Sequence, residues 1–252
     1  MTRTAIVSDI HGNLAALQAV LADIQTQSAD RIICLGDVVG YGPEPCACLD
    51  EVMKFEFCVL GNHDSSSLFD PEGFNAAAEQ AIFWTRSKLE AVGDDPESSR
   101  RRIEYLCQLP RTVREDQYLF VHGSPRGPTN EYVFPEDAQN SKKMEKLFTL
   151  VPRVCFQGHT HVPGVFSSDN RFIRSADTGE AYALRESNRK WMVNVGSVGQ
   201  PRDGDPRSCY VIVEEDTVAF RRVEYDIEAT VAAIEAETEL DNFLGYRLRE
   251  GR

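Results

Sequence analysis

The sequence predicts an α/β fold, and three observations carry that prediction. The first sixty residues alternate strand, helix, strand, helix, strand. A second set of short apolar runs bounded by turn residues begins near residue 112. Across both sets, five short polar signals each follow directly on a predicted strand. Such alternation implies parallel pairing with right-handed crossovers. The 252 residues can bury a sizeable core, and no Pro/Ser/Gly-rich linker divides them. Residues 1–252 are therefore read as a single domain.

Thr4–Ser8 is short, apolar and β-branched, the pattern of a buried strand. Asn13–Gln25 follows as a helix, with Leu14, Leu17, Val20, Leu21 and Ile24 on one face. Arg31–Leu35 is the second strand. Gly40-Tyr41-Gly42-Pro43 breaks the chain, and Pro45 opens a helix continued by Cys46–Lys54. Phe57–Leu60 is the third strand. Phe74–Val92 is alanine-rich and helical, and Asp94-Asp95-Pro96 starts a second helix over Glu97–Leu109. Residues 65–110 thus read as a helical insertion after the third strand. It is equally open to a role as a lid (Trp84 and Arg86 included), as a cover for the sheet, or as a contact between copies in a homo-oligomer. Thr112–Glu115 and Tyr118–Val121 form a hairpin, and Glu136–Leu150 a helix. Val154–Gln157, Val165–Phe166, Phe172–Ile173, Tyr182–Leu184, Trp191–Val195, Cys209–Val213 and Thr217–Val223 are strands, and Asp226–Glu237 closes the chain as a helix.

Lys+Arg total 27 against 40 Asp+Glu, a formal net charge of −13. That field repels polymeric nucleic acid and anionic membranes at long range, and it disfavours a nuclease that tracks a polymer. It leaves room for a small phosphorylated substrate, because bound cations reverse the sign locally. The amino-terminal apolar stretch is short and carries Asp9, so it is neither a signal peptide nor a membrane span. Seven cysteines are scattered, several inside apolar runs such as Ile33-Cys34-Leu35. They are read as small core residues of a cytoplasmic, reducing compartment. Cys46 and Cys48 lack a second pair at zinc-site spacing.

The five signals are Asp9-Ile10-His11, Gly36-Asp37, Gly61-Asn62-His63-Asp64, His122-Gly123 and Gly158-His159-Thr160-His161. Ligand groups converge at the carboxyl ends of strands in open α/β sheets. If the backbone stays extended, residues i and i+2 share a face, so Asp9 with His11 and His159 with His161 could each serve one ion. Asp37 can bridge two cations through its two oxygens, and Asn62 adds an amide oxygen. Mixed nitrogen and oxygen donors suit manganese, iron or zinc better than magnesium or calcium. Each signal alone is a common turn or an ordinary histidine. Together they hold all five histidines of the chain, and none is left over on a helix face or a tail.

In this order, D-x-H, G-D, G-N-H-D, H-G and G-H-T-H resemble the calcineurin-like metallophosphoesterase superfamily, over Asp9 to His161. The resemblance implies a four-layer α-β-β-α sandwich: two mixed sheets packed face to face with helices outside. It also implies two metal ions, drawn from manganese, iron, zinc or nickel, with manganese the ion expected to support activity. By position, Asp9, His11 and His161 would hold one ion, Asn62, His122 and His159 the other, and Asp37 both. His63 would sit over the leaving group, oriented by Asp64. A water deprotonated between the metals would attack phosphorus.

Asn194-Val195-Gly196-Ser197-Val198-Gly199-Gln200-Pro201-Arg202 is similar to a stretch of small prokaryotic phosphodiesterases, a subgroup linked to small phosphodiesters and dinucleoside polyphosphates. Gly40-Tyr41-Gly42-Pro43 departs from the serine/threonine protein phosphatases, as does Asp64, where those enzymes carry Glu. The rival readings are a phosphomonoesterase or protein phosphatase of the same superfamily, and a scaffold that keeps the fold without catalysis. Arg202, Arg207 and Tyr41 are the candidate substrate contacts. Arginine grips phosphate in a bidentate fork, and tyrosine stacks on bases.

Overall fold

Residues 2–91, 95–185 and 188–252 are described by a computed structural model of the chain. Its strands form two six-stranded mixed sheets. The first runs β3 (Phe57–Cys58), β2 (Arg31–Cys34), β1 (Thr4–Val7), β11 (Ser208–Glu214), β12 (Thr217–Val223), β9 (Tyr182–Ala183). Strands β1, β2 and β3 are parallel, and the remaining pairs of this sheet are antiparallel. The second runs β4 (Thr112–Glu115), β5 (Tyr118–Val121), β6 (Val154–Gln157), β10 (Trp191–Asn194), β7 (Gly164–Ser167), β8 (Arg171–Arg174). Here β5, β6 and β10 are parallel. The predicted β4–β5 hairpin is present as an antiparallel pair.

Side chains alternate across each pleat, and both faces of the central strands are apolar. Ile6, Phe120, Phe156, Trp191, Val193 and Val211 meet between the sheets. Ala5 and Val7 point the other way, towards α1 (Leu14–Thr26) and α2 (Pro45–Val52). Cys155 and Met192 point outward from the second sheet onto Met144, Leu147 and Phe148 of α6 (Ser141–Leu150). The layers are therefore helix, sheet, sheet, helix, which is the sandwich that the motif resemblance implied.

The insertion contains α3 (Asn62–Leu68), α4 (Ala76–Glu90) and α5 (Pro96–Gln108). Asn75 and Asp95 cap α4 and α5, accepting from the amides of Ala78 and Ser98. Val92, the expected end of the first helix, and Asp94, expected just before the second, lie outside the described residues. Leu89 and Leu106 join the core beneath α1 and α2. Arg86 donates to the carbonyls of Ser66, Ser67 and Phe69 at the end of α3, and Trp84 and Lys88 reach Glu237. Trp84 and Arg86 thus tie α4 to Glu237 and to the end of α3.

Three expectations need correction. Glu136–Leu150 is not one helix: a 3-10 turn over Pro135–Gln139 stops at Asn140, whose side chain caps α6 by accepting from the Lys143 amide at 3.2 Å. Gly61-Asn62-His63-Asp64 is not merely a turn: Asn62–Asp64 begin helix α3, whose residues carry no apolar period. After α7 (Ile227–Ala236), the chain adds α8 (Phe243–Tyr246) and a 3-10 turn over Arg247–Glu250. All seven cysteines are free thiols, buried except for Cys46 and Cys107. Among the described residues, no helix is long and apolar enough to cross a membrane.

Candidate metal centre

The five signals meet at one edge of the sandwich, but not through extended backbone. Asp9, His11, Asp37, His159 and His161 all have φ between 51° and 67°. This left-handed region is sparsely used by residues other than glycine, and its strain gathers at functional sites. The expected i, i+2 alternation therefore does not place these pairs. Left-handed kinks do, and neighbouring loops hold them. The Asp9 amide donates to Gly36 O at 3.0 Å and the His11 amide to Asp37 O at 2.9 Å. Asn194, at the end of β10, clasps the fifth loop by donating to Gly158 O (2.7 Å) and Thr160 Oγ1 (2.8 Å). The Ser197 hydroxyl donates to Asp9 O at 2.8 Å.

Asn62, His63 and Asp64 form the first turn of α3, entered through Gly61. The expectation that Asp64 orients the His63 ring is not met. Its carboxylate accepts four backbone amides instead, from Asp37 (2.8 Å), Val38 (2.9 Å), Val39 (3.2 Å) and Gly61 (3.1 Å). The reason is geometric: Asp64 sits one turn into the helix, facing the amides left open by the Asp37 loop and by the helix start. Asp64 therefore ties the Asp37 loop to α3. The His63 amide in turn donates to Asp37 Oδ1 at 2.8 Å. Its ring is wedged among His11, Tyr41 and Phe74, with centroids 4.8, 4.4 and 5.0 Å away, and its Nδ1 has no hydrogen-bond partner. Gly40 closes this slot: a Cβ there would lie 2.5 Å from His63 Nδ1, and its φ is +92°.

The four remaining imidazoles share one arrangement. Each has one nitrogen at a backbone carbonyl: His11 Nδ1 at Val39 O (3.2 Å), His122 Nδ1 at Leu35 O (2.9 Å), His161 Nδ1 at Gln200 O (2.5 Å), His159 Nε2 at Asn130 O (3.3 Å). A carbonyl only accepts, so that nitrogen carries the proton and the other presents a lone pair. The lone pairs turn towards one another and towards carboxylates. His11 Nε2 lies 3.2 Å from His161 Nε2, and His161 Nε2 lies 3.2 Å from Asp9 Oδ1. His122 Nε2 lies 3.0 Å from His159 Nδ1, 3.0 Å from Asn62 Oδ1 and 3.3 Å from Asp37 Oδ2. Ligand atoms of Asp9, His11 and His161, of Asp37, His122 and His159, and of His11, Asp37 and His63 lie within 4.8 Å of one another in each group. Converging acceptors repel unless a cation lies among them, so the donor set fits metal ions.

Titration sets His122 apart from the other three rings. Burial pulls His11 and His161 below the ordinary range and His159 down to about 3. Burial opposes the charged form of His122 too, but the adjacent Asp37 outweighs it and pushes that ring up to about 10, so in the metal-free site His122 Nε2 keeps a proton facing Asp37 that a bound cation would displace. Asp9 and Asp37 would be raised by burial; the imidazoles of His161 and His122, respectively, hold them well below the carboxylate range instead.

Tyr41 and Arg202 also reach the site. Tyr41 lies 4.7 Å from the His11 ring, with the Arg202 guanidinium 5.8 Å from its own centroid. Arg207 does not reach it. It is exposed and forked onto Asp205, its nearest carboxylate in the same turn, at 2.7–3.2 Å. Sequence reasoning missed Tyr132, which stacks on His159 at 3.7 Å and on Phe134 at 5.3 Å. The signal was there in Tyr132-Val133-Phe134, just after the fourth motif, but it reads equally as a strand.

The family model for the calcineurin-like phosphoesterase superfamily domain matches residues 2–218. The chain belongs to that superfamily. It is accordingly a metal-dependent phosphoester hydrolase. An uncharacterized protein of Methanocaldococcus jannaschii is 34% identical over 258 residues, covering 98% of each chain. Phosphodiesterase YfcE of Escherichia coli is 25% identical over 225 residues, covering 87% of this chain and 91% of its own. Among solved structures, a metallophosphoesterase from Sphaerobacter thermophilus superposes with a TM-score of 0.84 at 36% identity, covering 100% of this chain and 99% of that one. A Pyrococcus horikoshii protein at 18% identity has the same fold, with a TM-score of 0.78 over 100% of this chain and 99% of its own.

Proposed function

We propose that the chain is a phosphodiesterase of small substrates. In this reading Asp9, His11 and His161 hold one metal ion, Asn62, His122 and His159 hold a second, and Asp37 serves both. The observation that carries it is the common orientation of the four imidazoles. In each, a backbone carbonyl takes the N–H of one nitrogen and turns the other towards the cluster, where a metal would bind it, displacing at His122 the proton that Asp37 holds there. The two ions, best supplied as manganese, would lower the pKa of a bound water towards about 7 and neutralise phosphoryl charge.

The side chains do the rest. The carbonyls of Val39, Leu35, Gln200 and Asn130 fix ring orientation before any ligand arrives, which keeps the reorganisation cost small. Asp64 holds the Asp37 loop against α3. His63 is neutral at pH 7, because burial pulls it down to about 4. It therefore offers an N–H to a phosphoryl or leaving-group oxygen rather than a stored proton. The half-exposed Phe134 and Tyr132, stacked outward from His159, give a platform for the base of a nucleotide diester. The relative named phosphodiesterase YfcE supports the diester class.

The test is reconstitution of metal-free protein with manganese. Turnover is then compared on bis-para-nitrophenyl phosphate, the para-nitrophenyl monoester, cyclic nucleotides and dinucleoside tetraphosphates. Diesters should turn over fastest. A strong monoester preference would replace this reading with a phosphomonoesterase.

A further inference from the structure

The segment after residue 218 lies beyond the match to the family model, yet it packs against the site. Ile234, Leu244 and Leu248 line one crevice with His11, Tyr41 and Gln200. Gly251 sits face to face with the 202–207 loop. The Gly204 amide donates to Gly251 O at 3.0 Å, and a Cβ on Gly251 would lie 2.7 Å from the Asp205 backbone. This docking sets Arg247 beside the loop that carries Arg202.

The arginines of this region fall into two kinds. Arg207 forks onto Asp205, and Arg222 pairs with Asp203. Arg202 and Arg247 have no carboxylate side chain within ion-pairing distance among the described residues. Arg202 spends two N–H groups on the single oxygen Gln200 Oε1 (3.1 and 2.6 Å). Arg247 spends Nε on Arg252 O and lies 5.6 Å from the Phe243 ring centroid. A guanidinium carries five donors, so each keeps several free. In a chain of net charge −13, two half-buried guanidiniums flank Tyr41, held by the Gln200 amide oxygen and the Arg252 main-chain oxygen rather than by acidic side chains, and so leave a positive site. Burial first, and Arg202 second, depress Arg247 to about 10. The Arg202 amide donates to His161 O at 3.3 Å, so this positive site adjoins one end of the ligand cluster.

We propose that Arg202 and Arg247 form a second anion subsite, which grips a phosphoryl group next to the one being cleaved. The subsite rests on the phosphoesterase reading above and narrows its substrate class: the favoured diester or anhydride carries at least two phosphates. Arg247 is a specificity residue, because it holds the uncleaved phosphate and leaves the reacting one to the metal ligands and His63.

The experiment compares wild type, Arg247→Gln and Arg247→Lys, each checked for folding by thermal melting. Calorimetric titration of the manganese-loaded full chain uses two probes, orthophosphate and pyrophosphate. Arg247→Gln should weaken pyrophosphate about 10–100-fold more than orthophosphate, the scale of a hydrogen bond to a charged group. Arg247→Lys should recover part of that loss, since it keeps the charge without the fork. In kinetics, Arg247→Gln should raise KM for diadenosine tetraphosphate more than for bis-para-nitrophenyl phosphate, with kcat less affected. Equal losses for the two probes, or unchanged pyrophosphate affinity, overturn the subsite. Absence of turnover on every ester would sink the hydrolase reading, while the titration would still decide the subsite.

Discussion

Strand β2 begins at Arg31 and is followed by Asp37, and the two ends of the sandwich treat these charges in opposite ways. At the Arg31 end, the guanidinium forks onto Glu115 across the sheets at 3.0 and 2.7 Å and donates to Thr4 Oγ1. Arg153 pairs with Asp216 and the Tyr118 hydroxyl bonds Glu215 O, so positive and negative groups alternate and close on each other. A cavity of about 540 Å³ opens there, lined by Ile6, Phe120, Phe156 and Val213 and by no histidine. At the Asp37 end, like meets like: carboxylates, amide oxygen and imidazole lone pairs face one another in backbone that is itself strained. One end is complete as folded. The other is completed only by something brought to it, and that contrast marks the working edge more surely than the size of a cavity does.

The largest effect should follow from removing the shared carboxylate. Asp37→Ala takes away an oxygen 3.3 Å from His122 Nε2, as well as the acceptor for the His63 amide. Metal content by mass spectrometry should fall with activity. The loss should be at least the roughly 10²–10³-fold that one electrostatic stabiliser is worth. His63→Ala should lower kcat by about 10²–10³-fold, the usual worth of one positioned hydrogen-bond donor to developing charge, while metal content stays near wild type. Equal metal loss in both variants would contradict the separate roles.

A smaller effect tests the slot rather than the ring. Gly40→Ala places a methyl 2.5 Å from His63 Nδ1 at a φ of +92°. The left-handed backbone alone should cost about 1–2 kcal/mol, which for a chain of this size lowers Tm by about 2–4 °C per kcal/mol. Reduced kcat with intact metal content would show that the ring has been displaced. Unchanged kcat would mean that its wedge against Gly40 is incidental.

These sites differ in how far the sequence foretold them. The nine motif side chains were legible, because polar tips on buried strands have few explanations and no histidine lay elsewhere. The means of their convergence was not legible. Left-handed φ at Asp9 or His161 is imposed by hydrogen bonds to loops far away in sequence, such as Asp9 N–H to Gly36 O. The partners of Asp64 were hidden for the same reason: they are backbone amides, which no motif spells. Helix α3 lacks an apolar period, and it starts where Asp37 Oδ1 receives the His63 amide. The reach of Arg247 depends on the docking of Gly251 against the 204–205 turn, a contact between segments with no shared pattern. The α-β-β-α layering came from the motif resemblance; the first three strands alone spoke only for a parallel unit.

The mildest change belongs to the complete end. Arg31→Ala removes both hydrogen bonds to Glu115 and the one to Thr4. The ion pair is partly exposed, with side chains 23% and 34% accessible, so solvent screens much of its Coulomb energy. Exposed pairs of this kind are worth about 0.2–1 kcal/mol, and Glu115 can rehydrate once it is released. The expected outcome is a loss of about 1 kcal/mol or less by denaturant titration, with kcat and metal content unaltered. The reasoning is positional: Arg31 and Asp37 bracket one strand, yet only Asp37 faces the lone pairs of other ligands. A drop in metal content on replacing Arg31 would mean that the inter-sheet tether sets the spacing of the histidines, and the two ends would then have to be treated as one coupled unit.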